Sequence, residues 1–361
     1  MSHRLNKKHV KRIISTLLAA VLIVSCLLIA GCSKAKPEAE PETVSDAAKE
    51  VKVLIIPKFE IGEKTDDIPG EAQYYFTEYL KDGEVFTVEG LKEDQKLYYK
   101  DGVAMVIAGY GKVNAAASLC AVLLDDRFDF SNCYILDVGC SGGAYGFSVM
   151  GDVNLITAVC DYDLGHRASP EEMENKDSET TWFYDPEYVE SGCYKLNPEL
   201  MDKVYELTKD VTLETTTEKY MARIFDQAEW ATRKPKVVKA TSVTSDSYWK
   251  GMTGHNDALL VTSIYDCPDP YGSTEMEDAG VAGVATRFGM LDRLIIIRDV
   301  VNMDVFMDGA TPESLWDLEA AEETFLPENS TEVEELFAVS MHNNYKVGKP
   351  IIDAILTGGI K

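Results

Sequence analysis

Residues 274–302, TEMEDAGVAGVATRFGMLDRLIIIRDVVN, read as a helix, a short turn and a buried strand that ends in polar residues. Ala279, Val281, Ala282, Val284, Ala285 and Phe288 fall on one broad helical stripe, and Gly289 stands where a helix stops. Leu294 to Ile297 is an unbroken apolar run of β-branched character, as expected of a strand covered on both faces. In an open α/β sheet, ligands bind beyond the carboxyl ends of such strands, so residues 298–304 are the first place to look for chemistry.

Working outward, the same alternation recurs. Strands are predicted at 51–57 (VKVLIIP), 103–108, 134–138, 153–159 and 236–243, and helices at 72–80, 113–125, 198–208, 217–231, 312–316 and 332–356. Glycine turns are expected after the second and third strands, at 109–112 (GYGK) and 139–143 (GCSGG). The first can offer free helix N–H groups to an anion, and Ser141 with the amides of Gly142 and Gly143 can form a weak nest. Asp66, Asp67 and Glu71 lie in a Gly- and acid-bearing loop after the first strand and read either as part of a ligand site or as solvated loop charges, and 168–194, with Trp182, Phe183 and Tyr184, reads as a long loop able to cover a ligand. This pattern implies a largely parallel, layered sheet in a single α/β domain.

The chain has 361 residues, 45% of them hydrophobic, which excludes wholesale disorder. Arg4, Lys7, Lys8, Lys11 and Arg12 precede an apolar run over 13–31 that ends at Ala30-Gly31-Cys32. A basic segment followed by such a run is a secretory signal. Its end resembles the lipobox of bacterial lipoproteins, which implies cleavage before Cys32 and a lipid on that thiol. Residues 33–50 (SKAKPEAEPETVSDAAKE) are small, charged and Pro-containing, a flexible tether ahead of a folded domain at 51–361. Loss of residues 1–32 leaves 30 of the 35 Lys and Arg against 61 acids, a net charge of −31 that repels nucleic acid. Beyond the signal there is no apolar run long enough to span a bilayer, so the chain is not expected to form a channel by itself.

Eight cysteines are present, of which Cys26 leaves with the signal and Cys32 is the expected lipid site. The other six show no CxxC or Cys/His spacing, so a zinc site is not expected and buried free thiols are. No Walker motif, nucleophile elbow or HExxH occurs, and no cofactor is implied. Recognition of a small polar molecule by hydrogen bonds is the remaining default.

Several stretches together carry a specific resemblance: 59–63 (FEIGE), 67–73 (DIPGEAQ), 109–118 (GYGKVNAAAS), 244–246 (TSD) before Tyr248 and Trp249, and 276–278 (MED). From about residue 51 to the C-terminus the chain resembles the purine nucleoside permeases, which are in turn similar to the nucleoside phosphorylases, where an α/β/α sandwich surrounds a distorted central barrel; the resemblance implies a single-domain α/β/α sandwich with a mixed central sheet. The resemblance implies that Glu277 accepts the ribose hydroxyls, Met276 packs on the sugar, and Asn302 meets N7 of the purine; Gly111, Ser141, Gly142 and His166, in the loops beyond neighbouring strands, are further candidate binding residues. Cleavage of the N-ribosidic bond would use Asn302 on the departing base and an acid such as Glu60 or Asp163 to activate water. Asp137 and Cys140 stand where the resembled phosphorylases hold an Arg and a Ser for phosphate, which favours nucleoside binding over phosphorolysis. The implied partners are a purine nucleoside, a membrane reached through the lipid, and a separate transporter that receives the captured ligand, with homo-oligomerisation left open. The alternative is a capture protein with no catalytic activity.

Overall fold

Short runs of β-branched residues buried on both faces build the centre of the protein, and the chain returns to them after each helix. The computed structural model describes residues 47–175, 178–183, 192–215, 233–306 and 331–360. The signal at 1–32, most of the tether and the helices expected at 217–231 and 312–316 lie outside these residues. Ten strands form the main sheet: β1 (Val53–Ile56), β2 (Glu84–Phe86), β3 (Leu97–Lys100), β4 (Val103–Val106), β5 (Tyr134–Gly143), β6 (Val153–Asp161), β7 (Cys193–Lys195), β8 (Val237–Thr244), β9 (Tyr271–Glu275) and β10 (Leu294–Met303). Their order is β7-β6-β8-β9-β5-β1-β4-β3-β2, and β10 pairs with both β5 and β6.

That double pairing closes β6, β8, β9, β5 and β10 into a ring. Within it β10 runs parallel to β5 and antiparallel to β6, while β9 runs antiparallel to β5. The result is a mixed sheet rolled into a small distorted barrel, with β1 to β4 extending from one side. The α/β class is therefore observed, and the mixed central sheet implied by the resemblance replaces the largely parallel one read from the alternation of strands and helices. The described helices are α1 (Lys112–Leu123), α2 (Pro198–Thr208), α3 (Met252–Ile264), α4 (Asp278–Arg287) and α5 (Thr331–Leu356). None is long and apolar enough to cross a membrane among the described residues.

Several expectations are corrected. Residues 139–143 are not a turn, because β5 continues through them, paired with β10 on one side and β9 on the other. Small residues stand there for packing: a Cβ on Gly139 would lie 2.6 Å from Nη1 of Arg298 and 2.7 Å from Oε1 of Glu71. Thr274 belongs to β9 and not to a helix, and α4 begins only at Asp278. The segment expected as a helix at 72–80 is a three-residue α turn, Gln73–Tyr75, widened into a π turn over Phe76–Leu80. Helix α3 and the antiparallel pair β2–β3 are additional elements. The end of the tether is also ordered, since Lys49–Glu50 pairs in parallel with Phe128–Asp129. Of the loop at 168–194, Trp182–Phe183 pairs with His166–Arg167 and buries Trp182, while Cys193 and Tyr194 open β7; residues 176–177 and 184–191 lie outside the described set.

Candidate functional site

The turn between β9 and α4 sets the geometry. The carboxylate of Glu275, at the end of β9, accepts from the backbone N–H of Glu277 at 2.6 Å and of Asp278 at 2.7 Å. These are first-turn amides of α4 that have no partner inside the helix, and a negative charge there also meets the positive end of the helix dipole. Ser242 and Thr244 of β8 donate their hydroxyls to the same carboxylate, 2.9 and 2.5 Å away. Burial pushes the Glu275 acid up, but the Arg298 guanidinium and these donors bring it net below its ordinary range.

Arg298, in the middle of β10, is 1% exposed and gathers three carboxylates. Its Nε donates to Asp278 Oδ1 at 2.9 Å and its Nη2 contacts the same oxygen, while Nη2 lies 3.3 Å from Glu275 and 3.5 Å from Glu277. Nη1 donates to the Cys140 carbonyl at 3.1 Å. One guanidinium thus faces more negative charge than it neutralises. Burial, opposed by Arg298, pushes the Glu277 acid up to about 7. Proton occupancy near neutrality follows from the excess of buried carboxylates over cations.

A second buried pair lies alongside. Lys58, at the end of the first strand region, places its ammonium on Asp137 and donates to the carbonyls of Ile56 at 3.0 Å and Val138 at 3.1 Å. Asp137 is fully buried and does not line the pocket, which corrects the idea that it repels phosphate directly. Glu71, read from the sequence either as part of a ligand-site loop or as a solvated charge, is 6% exposed, which rules out the second. Its two oxygens accept from the N–H of Lys58 at 2.6 Å and of Cys140 at 2.9 Å.

Between these groups opens a pocket whose walls include Phe59, Tyr110, Tyr248, Met276 and Val301, with Glu71, Glu277, Thr274 and Asn302 supplying polar edges. Phe59 and Tyr110 stack at 5.3 Å between ring centroids, and Tyr110 and Tyr248 are mostly exposed, leaving apolar ring faces open to a flat ligand. Asn302 sits where the pairing of β10 with β5 shifts register past Val300, opposite Gly142. The irregularity re-aims the strand end at the pocket. Lys58 is the one Lys or Arg among the lining residues, and Asp137 already holds its charge. A larger cleft of about 710 Å³ between residues 87–90 and 117–127 carries a self-satisfied surface pair, Arg127 on Asp125 at 2.8 Å, and no comparable convergence of buried groups.

The structure brings together Met276, Glu277, Ser141, Gly142 and Asn302 as pocket-lining residues, with Gly111 one hydrogen bond behind them. Gly111, at φ +85°, opens α1 and donates its N–H to Oε1 of Glu277 at 2.9 Å. Lys112 donates its N–H to Asp246 at 2.8 Å. The anion at this helix N-terminus is therefore part of the protein. Ser141 turns its hydroxyl to Ser273, 3.1 Å away, and to the Asp299 carbonyl, and the following glycines belong to a strand paired on both sides, so no phosphate nest forms there.

Glu60, Asp163 and His166 do not line this pocket. The Glu60 carboxylate is taken by the N–H groups of Ile61 at 2.9 Å, Ala72 at 3.0 Å and Gly70. Asp163 is exposed and receives Lys112 Nζ, the Ser245 hydroxyl and the Asp246 N–H, each at 2.8 Å. His166 is exposed on the short ladder with Phe183. The sequence placed Arg298 in the segment to search and Glu71 in a candidate loop, but assigned neither of them a role. The signal for Arg298 was a lone cation directly after a fully apolar strand, where an unpaired charge is not tolerated.

Residues 50–359 match the sequence profile of the purine nucleoside permease family. The chain belongs to that family. Among its relatives, a Schizosaccharomyces pombe protein named "Probable purine nucleoside permease" is 25% identical over 271 residues, 70% of this chain and 76% of the relative. A purine nucleoside permease of Candida albicans is 28% identical over 222 residues, 55% of this chain and about half, 53%, of that protein's length. Among solved structures, a 5'-methylthioadenosine/S-adenosylhomocysteine nucleosidase of Helicobacter pylori superposes with a TM-score of 0.51 at 13% identity, covering 84% of this chain and 99% of that one. At that identity the likeness is one of fold, and it places this purine nucleoside permease family member in the nucleoside phosphorylase-like architecture.

Proposed function

We propose that the protein is an exported, membrane-tethered purine-nucleoside-binding protein for uptake or salvage, whose pocket also suits cleavage of the N-ribosidic bond by water. The observation that carries this reading is the convergence of Glu277, Met276 and Asn302 in one pocket with exposed aromatic faces. Glu277 supplies a carboxylate for two vicinal hydroxyls, Met276 an apolar cover for the sugar, and Asn302 an amide able to donate and accept at the purine edge. In hydrolysis, water oxygen bonds to the anomeric carbon as the bond to the base breaks, water gives up a proton to a carboxylate, and the departing base nitrogen takes one up. Glu71, buried and at the pocket wall, is better placed than Glu60 or Asp163 to accept the first proton. The acidic lining favours the positive charge that develops on the sugar.

One observation supports the alternative, a capture protein without turnover. The amide of Asn302 can hold the base but has no ionisable proton to give it. The supply of that proton then decides between the two readings.

Phosphate enters neither. Arg298 is held by three carboxylates and Lys58 by Asp137, so no cation with free valence faces the pocket among its lining residues. Release of base from inosine should be the same with and without millimolar phosphate, and the sugar product should be ribose. Stoichiometric ribose 1-phosphate would restore a phosphorylase, and no product at all supports capture alone.

The tether is tested separately. If Cys32 carries a lipid, Cys32→Ser should move the mature protein from the membrane fraction to the soluble one or block its maturation; an unchanged membrane fraction contradicts the anchor.

A further inference from the structure

Away from the pocket, three cysteines distant in sequence meet at the edge of the sheet. Cys193 of β7 stands directly across from Cys160 of β6 in an antiparallel register, and Cys267 reaches them from the turn that follows α3. The sulfurs are 3.5 Å apart for Cys160–Cys193, 3.3 Å for Cys160–Cys267 and 3.8 Å for Cys193–Cys267. All three are free thiols. No CxxC or Cys/His spacing announced this cluster, because spacing in sequence says nothing about strands that become neighbours only in the fold.

The triangle has a definite size. Its centre lies about 2.1 Å from each sulfur, so an ion at the usual thiolate–zinc distance of about 2.3 Å sits roughly 1 Å above the plane, with its fourth coordination position open. Such geometry asks for little movement of the ligands. Three ordinary thiols have no reason to crowd at contact distance when an apolar wall of Val243, Ala258, Val261 and Tyr265 is available to pack against. Cys160 is buried and the other two are half-buried, so an ion has a route in.

We propose that Cys160, Cys193 and Cys267 form a three-thiolate site for one soft d10 cation, Zn²⁺ or Cu⁺, which staples the edge strand β7 to β6 and to the end of α3. Thiolate ligands select such ions over Mg²⁺ or Ca²⁺. On binding, the thiols release their protons to solvent. Lys195, whose ammonium donates to the Asp266 carbonyl at 2.8 Å, adds positive charge beside the site.

The test uses the full chain, purified under reducing conditions and exposed separately to Zn²⁺, to Cu⁺ and to Co²⁺ as a coloured stand-in. About one ion per chain is expected, with a thiolate-to-cobalt charge-transfer band that is lost in Cys160→Ser and in Cys267→Ser but kept in Cys120→Ser. Because a serine variant can fail to fold, a second measurement uses the parent chain: bound Zn²⁺ should slow alkylation of Cys160, Cys193 and Cys267, mapped by peptide mass, and leave Cys120 unchanged. Which of Zn²⁺ and Cu⁺ displaces the other names the preferred ion. The proposal is overturned by a reduced chain that takes up no ion, by an ion that survives loss of Cys160 or Cys267, or by isolation of the chain with Cys160 and Cys193 linked as a disulfide that metal does not replace.

Discussion

Replacing Arg298 by Met is expected to lower stability by about 3–5 kcal/mol, the usual cost of removing one partner from a buried ionic network. The substitution keeps an apolar stem but removes the guanidinium, leaving Glu275, Glu277 and Asp278 without their shared cation, each at or below 6% exposure. Asp278 suffers most, because Arg298 is the group that contacts its carboxylate through two nitrogens. Urea unfolding followed by circular dichroism measures the loss. Adding Asp278→Asn to the Arg298→Met chain should recover part of it, since the second change removes a charge that no longer has a partner. A loss under about 1 kcal/mol would mean that the carboxylates are neutral in the folded protein and that Arg298 is not what holds β10 to the start of α4.

Glu277→Gln should weaken binding of ribosides by roughly 10- to 100-fold, the equivalent of about 1.5–3 kcal/mol for charge-assisted hydrogen bonds to the sugar. Gln preserves the side-chain shape and an oxygen able to accept from Gly111 N–H, so folding should change little. The pH profile distinguishes this from a packing defect. Burial holds the Glu277 acid up to about 7, so it is neutral below that pH and a carboxylate above it. A carboxylate accepts more strongly from hydroxyls than a neutral acid, hence affinity in the parent should rise between about pH 6 and pH 8 and be flat over that range in Glu277→Gln. Calorimetry with inosine and with its 2'-deoxy analogue reads both effects. Equal affinity of parent and variant for inosine would place Glu277 outside the binding contacts.

The fold was legible wherever apolar residues ran unbroken. Leu294 to Ile297 and Val53 to Ile56 announce buried strands by composition, and both lie in the ring or beside it. β9, with the sequence YGSTE, was not legible because its burial is supported by polar satisfaction. Ser273 meets the Ser141 hydroxyl and receives Asn154 Nδ2 at 2.8 Å, and Glu275 holds two helix amides. A strand that buries hydroxyls and a carboxylate carries no period-2 apolar signal. Helix α3 was hidden for a related reason, since His255 and Asp257 are buried in it as hydrogen-bonding partners of Asp304 and of Thr181.

Residues 139–143 misled in the opposite direction. Gly-Cys-Ser-Gly-Gly has the composition of a turn, yet it is a strand thinned to admit Arg298, Glu71 and the neighbouring strands. The sequence could show that the backbone there needs room, but not whether a ligand or the protein itself fills it. The same ambiguity covers the start of α1, where the free amides expected to meet an anion meet Glu277 and Asp246. Met276, Glu277 and Asn302 were legible through family resemblance because they form a compact motif around one helix start and one strand end. Glu71 lies in a stretch that carries the resemblance, but its burial was not legible, because it depends on Lys58 and on Cys140, 69 residues away in sequence.

The central claim is that the pocket between Glu277, Met276 and Asn302 receives a purine nucleoside and excludes phosphate. A crystal of the protein soaked with inosine and phosphate tests it most directly. The account predicts ribose hydroxyls on the Glu277 carboxylate, the purine ring between the Tyr110 and Tyr248 side with its edge at Asn302, and no phosphate beside Ser141. Nucleoside bound elsewhere with this pocket empty, or phosphate held within hydrogen-bonding reach of Ser141 and Arg298, would contradict it.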